Sequence, residues 1–359
     1  MGGDNAEYKV IRNSVYLSDA DGITKSRTLT VEGELDIPIT VRLAQKVDSD
    51  VTVSLVFSQE DLDIYNSANS TEYQCMEDLP SDVTVTIPAG SITANYTLHV
   101  GDYAASGVTY AIPVRLDNVN NGDVMVSSGQ GKFVYVLSKP LIVSVPVMKG
   151  VGSEGTGVIA GGEWGFEVNA WTFEAWIRMS GYNTNNQSFF RSGTTNPGNI
   201  FMRFGDSNRP FNYLQVKLYG GEVKTEANLE AGKWYHWAMV YDGTTFTIYR
   251  NGEKDVEFQP TRPAKMVMEY ARMMDTGSMF RDECSISQAR FWKVARTQTE
   301  IQANMYYEVN PDNSGLIAYW PMDDKNGNIF RDISGNGRDM TAAYGVIQRW
   351  EDGIRFDGK

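Results

Sequence analysis

Apolar residues recur at every second position along most of the chain, and this period decides the fold class before any other feature does. Leu35, Ile37, Ile39, Val41 and Leu43 alternate with other residues, as do Val51, Val53, Leu55 and Phe57, and then Val83, Val85 and Ile87. A period of two sets one face of an extended strand against a core and the other towards solvent. Turn residues punctuate these runs. Pro88-Ala89-Gly90-Ser91 precedes a strand around Tyr96, Leu98 and Val100. Asn120-Asn121-Gly122-Asp123 separates a strand through Tyr110, Ile112 and Val114 from a last one at 132–137. Helical spacing is scarce apart from a short turn near 59–65, so this half predicts a β-sandwich.

The second half repeats the pattern with heavier residues. Residues 171–179 and 234–241 alternate but carry large side chains on both faces. Both faces then need cover, as in the central strand of a sandwich. Trp176, Trp234, Trp237 and Trp320 are expected in the core. Asn251-Gly252 between two strand-like runs predicts a hairpin with a tight primed turn. One helix is expected at 297–306, with Thr297 as N-cap and Glu300 three residues on. Residues 139–157 change composition, with Pro140, Pro146, Gly150, Gly152, Gly155 and Gly157, and mark the junction, although part of the apolar run 141–147 is available as the first strand of the second domain. The expected domains are 1–145 and 146–359, and 359 residues suffice for two separate cores.

Composition removes several function classes. A net charge of −13 repels phosphate backbones and anionic lipid heads, which disfavours nucleic acid and direct membrane-surface partners and is compatible with neutral ligands and bound cations. No apolar run reaches the length that spans a bilayer. Cys75 and Cys284 lie far apart and are expected as small buried residues without a disulfide. His99 and His236 are the only histidines, which leaves little for a serine-type triad or a histidine metal cluster. His236, between tryptophans in mid-strand, is expected as a packed, hydrogen-bonded core residue. Met1-Gly2-Gly3 is taken as an added start on a mature chain, and no export signal stands in the sequence.

Several motifs of the second half occur together and in order. They include Phe173-Glu174-Ala175-Trp176-Ile177, Trp234-Tyr235-His236-Trp237-Ala238, Tyr249-Arg250-Asn251-Gly252, Ala289-Arg290-Phe291-Trp292 and Gly315-Leu316-Ile317-Ala318-Tyr319-Trp320-Pro321-Met322-Asp323. Through them this half resembles the laminin-G-like, concanavalin A-like jelly-roll superfamily. The first half carries Val15-Tyr16-Leu17, Val85-Thr86-Ile87-Pro88-Ala89-Gly90-Ser91 and Tyr110-Ala111-Ile112-Pro113-Val114-Arg115-Leu116. It resembles a domain-of-unknown-function family found at the N-terminus of surface lipoproteins of glycan-foraging gut bacteria. The resemblances imply an all-β chain: an immunoglobulin-like β-sandwich followed by a concanavalin A-like jelly roll. They also imply export, a lipid anchor on a cysteine absent from this sequence, and a place at the outer membrane, on the cell surface or in the periplasm.

The chemistry points to binding. Hydrolases of the jelly-roll superfamily need two carboxylates flanking a sugar. Glu34-Leu35-Asp36-Ile37 is a poor imitation in the wrong half, and the adjacent Asp282 and Glu283 would face opposite ways on a strand. Neither cysteine has a neighbouring base in sequence. Sugar binding needs aromatic faces beside amide, guanidinium or carboxylate groups, and the candidates are Trp164, Tyr182, Asn183, Arg191, Tyr213 and Trp350. No cofactor is required. The loop Asp332-Ile333-Ser334-Gly335-Asn336-Gly337-Arg338-Asp339 reads first as a turn rich in Asn, Asp and Gly. Its alternative is a structural calcium, for which Asp332, Ser334, Asn336 and Asp339 offer oxygens and Asp323 and Asp324 could add more. The favoured function is non-catalytic capture of a glycan at the cell surface. An adhesion module for a protein partner and a glycoside hydrolase are the alternatives.

Overall fold

The computed structural model describes residues 12–104, 107–152, 156–194, 198–218, 221–261, 265–275 and 280–357. The chain divides into two compact units, Met1–Pro140 and Leu141–Lys359. The junction falls before Leu141, not at 145/146. Strand Ile142–Met148 pairs with Cys284–Trp292 and Ile347–Arg355, so its backbone hydrogen bonds belong to the second unit.

The first unit is a β-sandwich. A four-stranded sheet runs Thr93–Val100, Leu35–Leu43, Asn13–Leu17, Val124–Val126, and a six-stranded sheet is built around Tyr110–Asp117 and Val51–Val56. The alternating residues meet between them: Ile37, Ile39 and Val41 with Val51, Val53, Ile87, Ile112 and Val114. The short turn expected near 59–65 is a full helix, α1, Gln59–Asn69. Ser58 accepts the Asp61 N–H as its N-cap, and Glu60 and Asp61 favour its first turn. Leu62 is the helix's buried residue, and so sparse an apolar face gives little periodic signal.

The second unit stacks two eight-stranded sheets. In the first, Trp171–Met179 lies between Trp234–Tyr241 and Cys284–Trp292, with Phe246–Arg250 and Glu253–Phe258 beyond on one side. The hairpin turn is as expected: Asn251 (φ 54°) and Gly252 (φ 79°) both take the left-handed conformation a primed turn needs. The second sheet runs Gly221–Lys224, Leu214–Leu218, Asn199–Phe204, Gln187–Gly193, Ala271–Met273, Val158–Ala160, Met340–Ala342, Ile329–Phe330. Between the sheets Trp171, Phe173, Phe190, Phe204, Trp237 and Phe291 form one core. Phe173 and Phe190 stack with ring centroids 3.8 Å apart, a contact that adds to the area they bury.

The first sheet is also covered on its outer face. Glu174, fully buried, points away from the core. Trp292 Nε1 donates to its Oε1 at 3.0 Å, Arg290 and Arg296 lie 3.6 and 3.9 Å from the same oxygen, and His236 Nε2 lies 3.9 Å from Oε2. Helix α2, Gln298–Asn304, closes over this face by packing Ile301 on Ala238 and Val240. It begins at Thr297 with the expected capping box to Glu300. Arg290 donates to the Asn304 and Tyr307 carbonyls and Arg296 to that of Glu300, so the cations that neutralise Glu174 also tie down the helix, Arg290 satisfying a free carbonyl of its last turn. Trp176 is buried as expected, in a second core cluster here and stacked on Phe356, whereas Trp234 is only half-buried under Arg178, against the core expectation. Cys284 is buried as expected, Cys75 only partly, and both are free.

All eight tryptophans lie in the second unit, so their fluorescence reports its unfolding alone. Glu174→Gln leaves two buried guanidiniums without a counter-charge and should destabilise that unit by about 3–5 kcal/mol, lowering its fluorescence midpoint by roughly 10 °C. An unchanged midpoint would show that the cluster is energetically idle. His236 gives a second test. Its ring is edge-on to Trp176 and Nδ1 has no protein partner, unlike the hydrogen-bonded histidine expected. Burial, opposed by Glu174, pushes its pKa down to about 4 from 6.5. The unfolded chain then binds a proton that the fold resists, so stability present above pH 6.5 is lost as pH falls towards 4, by on the order of 3 kcal/mol. In urea titrations followed by tryptophan fluorescence, His236→Gln should flatten that slope, and an equally steep slope in the variant would assign it to other groups.

Candidate functional site

Helix α2 packs on the first sheet, and on the outer face of the second Asn199, Phe201, Arg203 and Lys217 stay partly exposed while Arg191 and Gln215 are buried. Strand register aligns one outward row across this sheet. Glu222 pairs with Lys217, Lys217 with Phe201, Phe201 with Arg191, Arg191 with Arg272, Arg272 with Ile159, Ile159 with Thr341 and Thr341 with Ile329. On Asn199–Phe204 the alternation is clean. Ile200, Met202 and Phe204 enter the core, and Asn199, Phe201 and Arg203 face outwards and stay partly exposed. A bulge between Ser188 and Phe190 sends both Phe189 and Phe190 inwards and turns Arg191 out.

Phe201 lies at the centre of a fixed polar arrangement. The Arg191 guanidinium sits 4.3 Å from its ring centroid, a cation–π contact. Arg191 and Arg272 both hold the fully buried Asp275 carboxylate, at 3.4 and 3.1 Å. On the other side Arg203 Nε donates to Gln215 Oε1 at 2.7 Å. Gln215 Nε2 donates to Asp206 at 3.0 Å, and Asp206 also forms an ion pair with Arg203, 3.0 Å from NH2. Lys217 meets Glu222 at 3.4 Å, both well exposed. Asn199, Phe201, Arg203, Lys217, Leu218, Gly221 and Glu222 line a depression of about 460 Å³. An aromatic face beside oriented donors can stack on a flat apolar ring while hydrogen-bonding its substituents. Strands Gln187–Gly193, Asn199–Phe204 and Leu214–Leu218 contain no Asp or Glu, so they bring no carboxylate pair to this face.

Residues 152–302 match the family model of the concanavalin A-like lectin/glucanases superfamily. The second unit is a concanavalin A-like domain. A second family model, that of an N-terminal domain, matches residues 11–123. The chain is similar to a crystal structure of a candidate carbohydrate-binding protein from Bacteroides ovatus, with a TM-score of 0.69 at 23% identity over 93% of this chain and 99% of the other. At that identity the likeness shows the shared fold. A SAP-like pentraxin from Limulus polyphemus aligns at 14% identity over 57% of this chain and 97% of its own, with a TM-score of 0.39 too low to carry an argument. No curated protein matches the chain.

The concanavalin A-like domain scatters most of the sequence candidates. Arg191 alone stands in the row described. Tyr213 is buried nearby, with its hydroxyl accepting the Asp206 N–H, and braces the Arg203 group from below. Tyr182 packs edge-on against Phe204, and burial pushes its hydroxyl far above the usual range. Asn183 donates twice to Asp282. Trp164 stacks on Phe166 beneath Arg338, and Trp350 leans on Phe330. Phe201 and Lys217 are not found by seeking aromatics in loops. The usable signal is the outward phase of 199–204, where Phe201 alternates with Asn199 and Arg203.

The candidate calcium loop is folded as a hydrogen-bonded clasp. Asp332 Oδ1 accepts from Tyr319 N, Ser334 N and Ser334 Oγ, and its Oδ2 accepts from Arg338 N. Asp339 accepts from Asp332 N and Asp324 from Arg331 N, while Asn336 donates to the carbonyls of Leu316 and Ile317. Partial burial, then Asp324 and Glu308, raise the Asp323 carboxyl. No group of three or more His, Cys, Asp or Glu able to hold a metal occurs among the described residues. Calcium takes six to eight oxygens, and protein donors already engage carboxylate oxygens of Asp332, Asp339 and Asp324, so the loop holds its shape without an ion. Millimolar calcium, compared with chelator, should leave the fluorescence midpoint unchanged. Asp332→Ala should lower it equally in both, by about 2–3 kcal/mol for the buried N–H groups it orphans. A rise in midpoint on adding calcium would restore the cation site.

Proposed function

We propose that the protein binds carbohydrate without cleaving it, on the outer face of the uncovered sheet of its concanavalin A-like domain. The observation that carries this reading is Phe201, half-exposed in a strand between the Arg191 guanidinium and the Lys217 ammonium. One face of the ring lies against the Arg191 guanidinium, and the opposite face is the one that meets a sugar ring while Asn199, Arg203 and Lys217 address the hydroxyls. Support for binding over hydrolysis comes from the carboxylates bordering the face: Asp275, Asp206 and Glu222 each engage a cation. A proton-donating acid needs a raised pKa and freedom to approach the glycosidic oxygen. Ile159 and Ile329 are exposed at the far end of the row, but Thr341 separates them, and so small an apolar area favours no protein partner. Resemblance of the first half to a domain family at the N-terminus of surface lipoproteins supports a place at the outer surface, where the second domain would capture glycans.

A panel of plant and host polysaccharides in affinity electrophoresis tests the reading. At least one should retard the protein, and Phe201→Ala should weaken that binding about tenfold, equivalent to roughly 1.4 kcal/mol of ring contact. No polysaccharide should release reducing ends on prolonged incubation. Retardation that is indifferent to Phe201→Ala would move the site elsewhere, and reproducible release of reducing sugar would make the protein a hydrolase.

A further inference from the structure

Resting on the carbohydrate reading, we propose that the glycan recognised here is anionic, its sugars carrying a carboxylate or a sulfate ester that seats between Arg203 and Lys217. The chain as a whole bears −13 and repels polyanions at long range. Its uncovered sheet departs from that balance. The depression beside Phe201 is lined by Arg203 and Lys217 with a single carboxylate, Glu222. Lys224 extends the same outward face one row on, opposite Gln215.

The two cations differ in a way that suits an incoming anion. Arg203 is oriented by Gln215 and Asp206 through its Nε and NH2 and is little exposed, so it loses little side-chain freedom on binding, and its NH1 is the donor left for an oxygen of the carboxylate or sulfate. Lys217 is tied only to Glu222, at 3.4 Å across the strand pair, with both side chains well exposed. An exposed pair of this kind contributes little, and Lys217 can exchange it for a ligand oxygen. Glu222 is then the one repulsive element in the depression. Phe201, next to Lys217 in register, supplies the ring contact, so the sugar body and its anion are recognised side by side. Salt screens the local attraction, so binding should weaken as salt rises, though less than the local contacts alone would give because the repulsion from the net charge is screened as well.

Titration calorimetry with two matched pairs tests the proposal and separates its chemical sources. One pair is polygalacturonate oligosaccharide and its carboxyl-reduced form. The other is κ-carrageenan oligosaccharide and its desulfated form. At least one charged member should bind ten or more times tighter than its uncharged partner, and which pair does so identifies carboxylate or sulfate. Lys217→Ala and Arg203→Gln should each weaken that binding about fivefold or more. Glu222→Gln, an exposed change with no cost to folding, should strengthen it severalfold. Tryptophan fluorescence melts check that each variant is folded. If uncharged forms bind as tightly as charged ones and Phe201→Ala abolishes both, the anionic assignment falls and carbohydrate binding stands. If neither these pairs nor the polysaccharide panel binds, both fall. Charged-ligand binding that ignores all three variants, Glu222→Gln above all, overturns the site.

Discussion

A buried carboxylate organises the second unit. Glu174 sits on a central strand where both faces are covered, and a lone charge there would cost several kcal/mol. Arg290, Arg296, Trp292 and His236 converge on it, and the two guanidiniums then require acceptors of their own. Helix α2 supplies them, through the Glu300 carbonyl in its first turn for Arg296 and the Asn304 carbonyl at its C-terminal end for Arg290. The capping box that starts this helix and the charge cluster that ends it are parts of one solution. Its consequence is asymmetry: the central strands of one sheet are covered on both faces, and the other sheet keeps partly exposed side chains, Phe201 among them, on its outer face.

On the uncovered sheet the same principle runs in reverse. Asp275 is buried to fix Arg191 and Arg272, and Asp206 with Gln215 fixes Arg203, so carboxylates act there as holders of cations. Side chains held this way are rigid donors on rigid strands, which lowers the ordering cost of binding. The loop 332–339 obeys this logic too. Asp332 gathers N–H and O–H donors from Tyr319, Ser334 and Arg338, and Trp320 Nε1 donates to the Arg338 carbonyl. The loop therefore braces a fully buried tryptophan.

How much of the fold is legible in the sequence depends on which forces are periodic. Alternation at 35–43, 51–57 and 171–179, the Asn251-Gly252 turn and the Thr297–Glu300 cap are local signals, and each corresponds to its element in the structure. Helix α1 looks like a short turn in sequence because its capping and helix-favouring polar residues carry it with Leu62 as the buried anchor. The binding face is hidden for a different reason. Lys217, Phe201, Arg191 and Arg272 are scattered along the chain and meet only through strand register, which depends on pairing partners. Asp332 and its neighbours show the opposite case. Their spacing suggests ligands for a cation, and whether an oxygen is free or already hydrogen-bonded depends on the folded loop.

Register also explains why the face depends on one extra residue. Along Gln187–Gly193, strict alternation from Ser188 outwards would send Phe189 in, Phe190 out and Arg191 in. The bulge places two residues opposite one, so Ser188 pairs with Arg203 and Phe190 with Met202. Both phenylalanines then enter the core, where Phe190 stacks on Phe173, and Arg191 emerges over Phe201. Without the bulge a guanidinium would enter the apolar core and a phenylalanine would leave it. Both changes are strongly unfavourable, so core packing itself holds the irregularity in place. The cation above Phe201 thus owes its orientation to the stability of the sandwich, and the proposed binding face inherits the rigidity of the core beneath it.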